Sequence, residues 1–328
     1  MNNIHPEITV LTCCYNASSF IKETIESILA QTYTNFKYLI IDDGSTDETY
    51  LILKKYQKTD SRIKIIQKEH SGLTHSLNLG LQEAKSKWIA RLDADDIALP
   101  QRLEQQFKYS QEHNATLIGG GAIIINEQGF IISRYDYPDN HIQLLNKLEQ
   151  NKPFFAHSTA FFNKKIISDL GGYNELLIRA QDKDLWFRIA EKYKIACLPY
   201  PIIKLRKHNK MISKTDNNTL QVSMAIMATI CHYKRMNKEP DPSLNKDQWK
   251  HLNSQVDQEL KKLIYFKKLS YWNQLRQLWY QLQCPKILKI LQLFLYILKH
   301  PYILTGILHR IFTHNIAWKL YNSLKKDL

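Results

Sequence analysis

Four short apolar runs rich in β-branched residues alternate with three segments of helical spacing in the first ninety residues, and this alternation limits the fold more than any other feature. Ile8–Cys13, Tyr38–Ile41, Ile63–Gln67 and Trp88–Leu92 read as buried strands. Ser18 or Ser19 is placed to cap a helix to Ala30, with Ile21, Ile25, Ile28 and Leu29 on one face. A second helix runs from Asp47 to Tyr56, and a third carries Leu73, Leu77, Leu81 and Ala84 after Gly72. Strands separated by helices at such short spacing pair in parallel and are covered on both faces, which makes this an α/β chain. Ligands of open α/β sheets bind beyond the carboxyl ends of the strands. Tyr15, Asp42, Asp43, Asp93 and Asp95 all fall at such ends, so separate stretches of sequence converge on one crevice.

The segment Arg91-Leu92-Asp93-Ala94-Asp95-Asp96 is the densest in chemistry. Read as a strand running out into acids, it points Asp93 and Asp95 to the same side. Two carboxylates so placed repel each other unless a cation lies between them. A hard divalent ion shared with substrate phosphates is the common solution, and Mn2+ or Mg2+ is expected here. The competing reading is a helix N-terminus, which welcomes acids, and Asp96 is assigned to it because a helical pattern begins near Pro100. Neither G-x-G-x-x-G nor G-x-x-x-x-G-K-[ST] occurs, so no glycine-rich loop cradles a phosphate.

Beyond Pro100 a helix is expected to Glu112, then strand material over Thr116–Ile125, a turn at Asn126–Gly129 leading to Phe130–Ser133, and a helix over His141–Leu148. Phe154–Phe162 reads as extended and holds His157, either a satisfied structural histidine or part of a site wall. After the turn Gly171-Gly172-Tyr173-Asn174, the stretch Gln181-Asp182-Lys183-Asp184-Leu185-Trp186 opens a helix. The dipole there favours an ionised Asp182, and capping is the plain role for it; Asp184 reads as a surface acid or one that supports the site from behind.

Charge is distributed unevenly. From Lys204 onward 22 Lys and Arg stand against 7 Asp and Glu, whereas residues 1–203 hold 23 against 24. The asymmetry implies a near-neutral domain followed by a basic part suited to an anionic partner. Residues 218–328 have a helical pattern, and Ile287–Phe312 is strongly apolar but interrupted by Lys289, Lys299, Pro301 and Arg310. A spanning helix needs about 20 mostly apolar residues, so amphipathic helices at an anionic membrane surface are expected instead; an ordinary helical subdomain is the alternative. The five cysteines include no C-x-x-C pair, which points to reduced thiols and a cytoplasmic chain. Met1–His5 has neither a basic nor an apolar leader character, so no signal peptide is expected.

These stretches together resemble a known family. Val10–Asn16, Glu26–Tyr33, Ile41–Asp47, Gly72 with Asn78, Asp93–Asp96, Gly171–Tyr173 and Gln181–Trp186 resemble the inverting family-2 glycosyltransferases of bacterial surface-polysaccharide type, in order and spacing, across residues 6–210. The resemblance implies a GT-A fold, a Rossmann-like and mostly parallel sheet flanked by helices, over residues 1–215, with a helical basic extension over 216–328. It implies a nucleotide-sugar donor, a UDP-sugar, bound by Cys13, Tyr15, Asp42, Asp43, Asn78, Asp93 and Ala94. It further implies metal ligation by Asp93, Asp95 and His208, Asp182 as general base, and His157, Gln181 and Arg206 near acceptor or diphosphate. Gln181 departs from the Glu often found before the base. The acceptor would be a saccharide or lipid-linked saccharide, and the chain would work in the cytoplasm, peripherally on the inner face of the membrane.

Two other readings compete. A nucleic-acid binder would explain the basic extension, but no such motif is present and an acidic crevice repels phosphates. An inactive scaffold would explain the fold, but it has no need of Asp93, Asp95 and Asp182 together.

Overall fold

The computed structural model describes residues 6–150, 152, 154–209, 211 and 219–261. The described residues fall into two compact units, one ending at Asn209 and one beginning after it. The apolar stretch Ile287–Phe312 lies outside the described residues.

The first unit is built on one mixed sheet. Its leading strands are β1 (Ile8–Cys14), β2 (Phe36–Asp42), β3 (Ile63–Gln67) and β4 (Trp88–Arg91). They alternate with helices α1 (Ile21–Leu29), α2 (Thr49–Thr59) and α3 (Leu73–Glu83). Then come β5 (Ile97–Ala98), α4 (Arg102–His113), the hairpin β6 (Leu117–Asn126) and β7 (Ile131–Tyr135), and α5 (His141–Glu149). A 3-10 turn at His157–Thr159, β8 (Phe161–Asn163), α6 (Lys164–Asp169), α7 (Gln181–Ala190) and β9 (Ile195–Lys207) complete it. The sheet order is β3-β2-β1-β4-β8-β6-β9-β5, with β7 on β6. β1 lies parallel between β2 and β4, so Val10 stands opposite both Tyr38 and Ala90. The parallel ladders carry most of the register; β5, β7 and β8 join antiparallel. This is the α/β sheet expected from the alternation, with the antiparallel members added.

Side-chain alternation along the strands divides the core into two layers. Val10, Tyr38 and Ile40 pack with Ile21, Ile25 and Ile28 of α1 and Leu103 of α4. Leu11, Leu39 and Ile41 pack with Leu77 and Leu81 of α3 and with Leu185, Trp186 and Ile189 of α7. Fully burying such an aliphatic side chain contributes roughly 1.5–3 kcal/mol. Both faces of β1 and β2 are therefore committed, and only their carboxyl ends are left for a ligand.

Several expectations are corrected. Neither Ser18 nor Ser19 caps α1; Phe20 holds the N-cap position without a side-chain bond. β4 ends at Arg91, and Asp93–Asp96 is a turn closed by the Asp96 N–H on the Asp93 carbonyl at 3.4 Å. The acids share a side because the chain turns there, and strand alternation plays no part. Asp96 does not head a helix: α4 begins at Arg102, and Asp96 is buried. Phe154–Phe162 is not one extended run, because the 3-10 turn breaks it at His157. Asp184 is not a surface acid; it is fully buried and paired with Arg188 at 2.8 Å.

In the second unit, α8 (Thr219–Met236) buries Met224–Ala228, Ile230 and Cys231. A further helix, α9 (residues 246–261), buries Trp249, Leu252, Val256 and Leu260 on one face. Ser223 Oγ donates to Asp257 at 3.0 Å and ties the two helices together. No helix among the described residues is long and apolar enough to cross a membrane.

Candidate active site

The acidic turn follows β4 directly. Asp93, Asp95 and Asp96 each offer a carboxylate oxygen, and the three lie within 4.8 Å of one another. Three buried arginines brace the turn from behind. Arg91 donates from both terminal nitrogens to the two Asp93 oxygens. Arg102 donates to the Arg91 carbonyl at 2.5 Å. Arg206, at the end of β9, gives its backbone N–H to Asp96 Oδ1 at 2.8 Å and its Nε–H to the Asp95 carbonyl at 3.1 Å. The remaining Arg206 nitrogens go to the Glu127 carbonyl (2.8 Å) and Glu23 Oε2 (2.7 Å). Arg206 is thus a brace of the turn. All its guanidinium nitrogens are engaged with protein groups.

His208 Nε2 lies 2.8 Å from Asp95 Oδ2, and its ring packs on Phe20 at 4.8 Å between centroids. Thr24 Oγ1 reaches the Ala94 carbonyl at 3.0 Å and the Asp96 carbonyl at 2.8 Å, and Ser158 Oγ accepts the Asp93 N–H at 2.9 Å. Burial, and then the neighbouring acids, push the Asp95 and Asp96 carboxyls above the usual carboxylate range. Hard oxygen donors at this spacing suit Mn2+ or Mg2+. Asp96 and Arg91 were absent from the expected site. The run Asp93-Ala94-Asp95-Asp96 carried the signal for the first, and the two-residue spacing from Arg91 to Asp93 the signal for the second.

A second group lies at the ends of β1 and β2. Tyr15 is 47% exposed, and its ring stacks on His70 at 4.1 Å between centroids. Asp43 accepts the backbone N–H groups of Ser71 (3.0 Å) and Gly72 (2.9 Å) and an ion pair from Lys68. Burial works to raise its carboxyl, but these donors outweigh it and hold it below the usual range. His70 Nδ1 lies 3.0 Å from Asp43 Oδ2. Gly72, at φ +94°, allows the turn that brings its N–H to Asp43. Asp42 is a brace: it accepts Ser45 N–H and Gln67 Nε2, both at 3.2 Å. Cys13 is half-buried, and burial pushes its thiol up to about 12, so it stays protonated beside the crevice. Sequence reasoning missed His70, because a single histidine in a polar loop carries no pattern.

The third group opens α7. Ala180, in the left-handed region at φ 54°, holds the N-cap position, so Asp182 is not the cap. Asp182 lies in the first turn, and its Oδ1 accepts the Lys183 N–H at 2.8 Å. Burial raises its carboxyl, against the lowering effects of the Lys183 N–H and then the positive charge of Arg91. Gln181 is buried at the start of the helix. His157 Nε2 meets Tyr173 Oη at 2.8 Å, and its ring lies edge-on to Trp186. Desolvation, then Arg91, holds His157 well below its ordinary range, so it is neutral and buried against Tyr173 and Trp186. The Asn78 amide is engaged with Tyr173 and Glu175.

An α/β sheet with an acidic turn after β4 and a helix-borne acid in α7 is the frame in which the chain's class can be read. Residues 9–171 match Glycosyl transferase family 2. The O-antigen biosynthesis glycosyltransferase WbnJ of Escherichia coli is 35% identical over 216 residues, covering 63% of this chain and 82% of that protein. The chain belongs to glycosyltransferase family 2. Two solved structures share the fold. Staphylococcus aureus TarS 1–349 with UDP-GlcNAc has a TM-score of 0.56 at 18% identity, covering 70% of this chain and 66% of that one. Mannosyltransferase PcManGT from Pyrobaculum calidifontis, in complex with GDP-Man and Mn2+, has a TM-score of 0.56 at 17% identity, covering 99% and 89%.

Proposed function

We propose that this glycosyltransferase moves a sugar from a nucleotide sugar, a UDP-sugar, to a hydroxyl of a saccharide or lipid-linked saccharide, with inversion, in surface polysaccharide synthesis. The observation that carries the reading is the acidic turn after β4, where Asp93, Asp95 and Asp96 offer carboxylate oxygens within 4.8 Å of one another. Asp93 and Asp95, with Asp96 adjacent, would hold Mn2+ or Mg2+, and the ion supplies charge neutralisation of the departing diphosphate. Asp182, ionised, takes the proton of the acceptor hydroxyl. A single displacement needs no protein nucleophile, and it converts an α-linked donor into a β-linked product. Tyr15 and His70 offer an aromatic face to the base, while Asp43 holds the loop that carries His70.

The O-antigen biosynthesis role of WbnJ supports the polysaccharide assignment, and the UDP-GlcNAc bound by TarS supports the choice of nucleotide. We assign catalysis to residues 1–215 and place the basic extension, residues 216–328, against anionic lipid on the inner face of the membrane. A screen of UDP-, GDP- and dTDP-sugars for hydrolysis and transfer, with and without chelator, tests the reading. Mn2+-dependent turnover lost in Asp95→Asn is expected. Full activity in excess chelator would remove the metal, and inertness toward every donor would remove transfer.

A further inference from the structure

Arg91 is the last residue of β4 and is 3% exposed, and each of its two terminal nitrogens bonds a different oxygen of Asp93. Its backbone is tied on both sides: its N–H donates to the Ala160 carbonyl at 2.8 Å, and its carbonyl accepts Arg102 at 2.5 Å. A side chain so buried on so constrained a backbone has no room to swing away. Any cation that ligates Asp93 must therefore share that carboxylate with a guanidinium. Arg102, also buried, adds a second positive charge behind the first. The positive charges stand where solvent screens little, so they oppose a bare divalent ion more strongly than they would at a surface. A diphosphate changes this balance, because it brings oxygen ligands and negative charge of its own.

We propose that Arg91 makes the acidic turn a poor site for a free divalent cation and a good one for a cation already bound to a diphosphate, so that metal and nucleotide load together. The inference rests on the metal-dependent reading above. Arg91 acts in it as a positioning residue: it orients Asp93 and sets the charge the ion meets.

The test is binding and needs no turnover. Mn2+ affinity is measured by electron paramagnetic resonance on the full chain, alone and with saturating UDP, and UDP affinity is measured with and without Mn2+. Linkage requires the two enhancements to be equal. For the wild-type chain each should be about tenfold or more, since 1.4 kcal/mol of coupling already gives that factor. Arg91→Met should tighten Mn2+ alone by a similar factor and shrink the gain from UDP. Arg91→Lys keeps the charge and should leave Mn2+ alone as weak as in the wild type. Equal wild-type Mn2+ affinity with and without UDP would overturn the proposal while leaving metal dependence intact. Absence of Mn2+ binding even with UDP would overturn both. The wild-type comparison decides the matter even if Arg91→Met does not fold, and a folded Arg91→Met with unchanged Mn2+ affinity would remove Arg91 from the account.

Discussion

Asn78 clasps the backbone of Tyr173 at two points: its Oδ1 accepts the Tyr173 N–H and its Nδ2 donates to the Tyr173 carbonyl, both at 2.9 Å. This contact joins α3 to the segment that leads into α7 and Asp182. A Cβ added at Gly172 would come within 2.9 Å of Asn78 Oδ1, so the approach is close as well as bonded. Asn78→Ala would strand two backbone groups, each worth about 1–3 kcal/mol when left unpaired. We expect a clear drop in melting temperature and in kcat, with UDP affinity nearly unchanged by calorimetry. A large loss of UDP affinity at normal stability would return Asn78 to the nucleotide pocket.

Tyr15 supports no core, since it is 47% exposed and touches His70. Its removal should affect the ligand and spare the fold. Stacking of a base on an aromatic ring is worth about 1–3 kcal/mol. Tyr15→Ala should therefore weaken UDP roughly tenfold or more, at an unchanged melting temperature.

Asp182 gives two expectations of opposite sign. As the base it acts when ionised, and burial raises its carboxyl, so the acid limb of kcat/KM should lie above the ordinary carboxylate range. A carboxyl raised on folding contributes stability at low pH that is lost as pH rises through the folded value. Asp182→Asn should then melt no lower than wild type at pH 8, while turnover falls by about 10²–10⁴-fold. Asp184→Asn cannot serve as a mild control, because Asp184 is fully buried and ion-paired with Arg188. Near-normal turnover in Asp182→Asn would take Asp182 out of the mechanism.

Arg206 ties the acidic turn to Glu23 and Glu127 as well as to β9. Its guanidinium bonds to two backbone carbonyls and to the half-exposed Glu23, and each such hydrogen bond contributes about 0.5–1.5 kcal/mol. Arg206→Met should lower the melting temperature by several degrees, and Arg206→Lys should not rescue it, because an ammonium cannot span the same fork of acceptors. Differential scanning calorimetry of both variants checks this.

The excess of basic residues after Lys204 leads to a separate expectation. The full chain should bind anionic vesicles, with affinity falling as salt screens the charges, and truncation after residue 280 should release it. Equal partitioning onto neutral vesicles in a flotation assay would count against the electrostatic part.

The central strands were legible because each is a continuous apolar run, and their parallel order followed from the helices between them. The antiparallel β7 was announced by its turn, but β5 and β8 as separate strands were not, because β5 spans two residues and β8 three, too short for any period to register. Asp42, Asp43, Asp93 and Asp95 could be placed at strand ends from sequence. Whether each acid faces a ligand or braces a loop depended on partners far along the chain, such as Gln67 for Asp42 and Arg206 for Asp96. No local pattern encodes those pairings.

Opposite Gly120–Ala122, β9 takes five steps from Leu198 to Ile203 while β6 takes two. Pro199 and Pro201, lacking a backbone N–H, occupy the surplus, where no ladder bond is asked of them. This surplus is an adjustable joint between the half of β9 that fills the core and the half that delivers Arg206 and His208. A one-residue deletion within Pro199–Pro201 can be absorbed by the joint or passed along the strand. If passed along, every side chain beyond it changes face, and Lys207 arrives where the acidic turn now meets Arg206. The length of the joint therefore selects which side chain the turn receives.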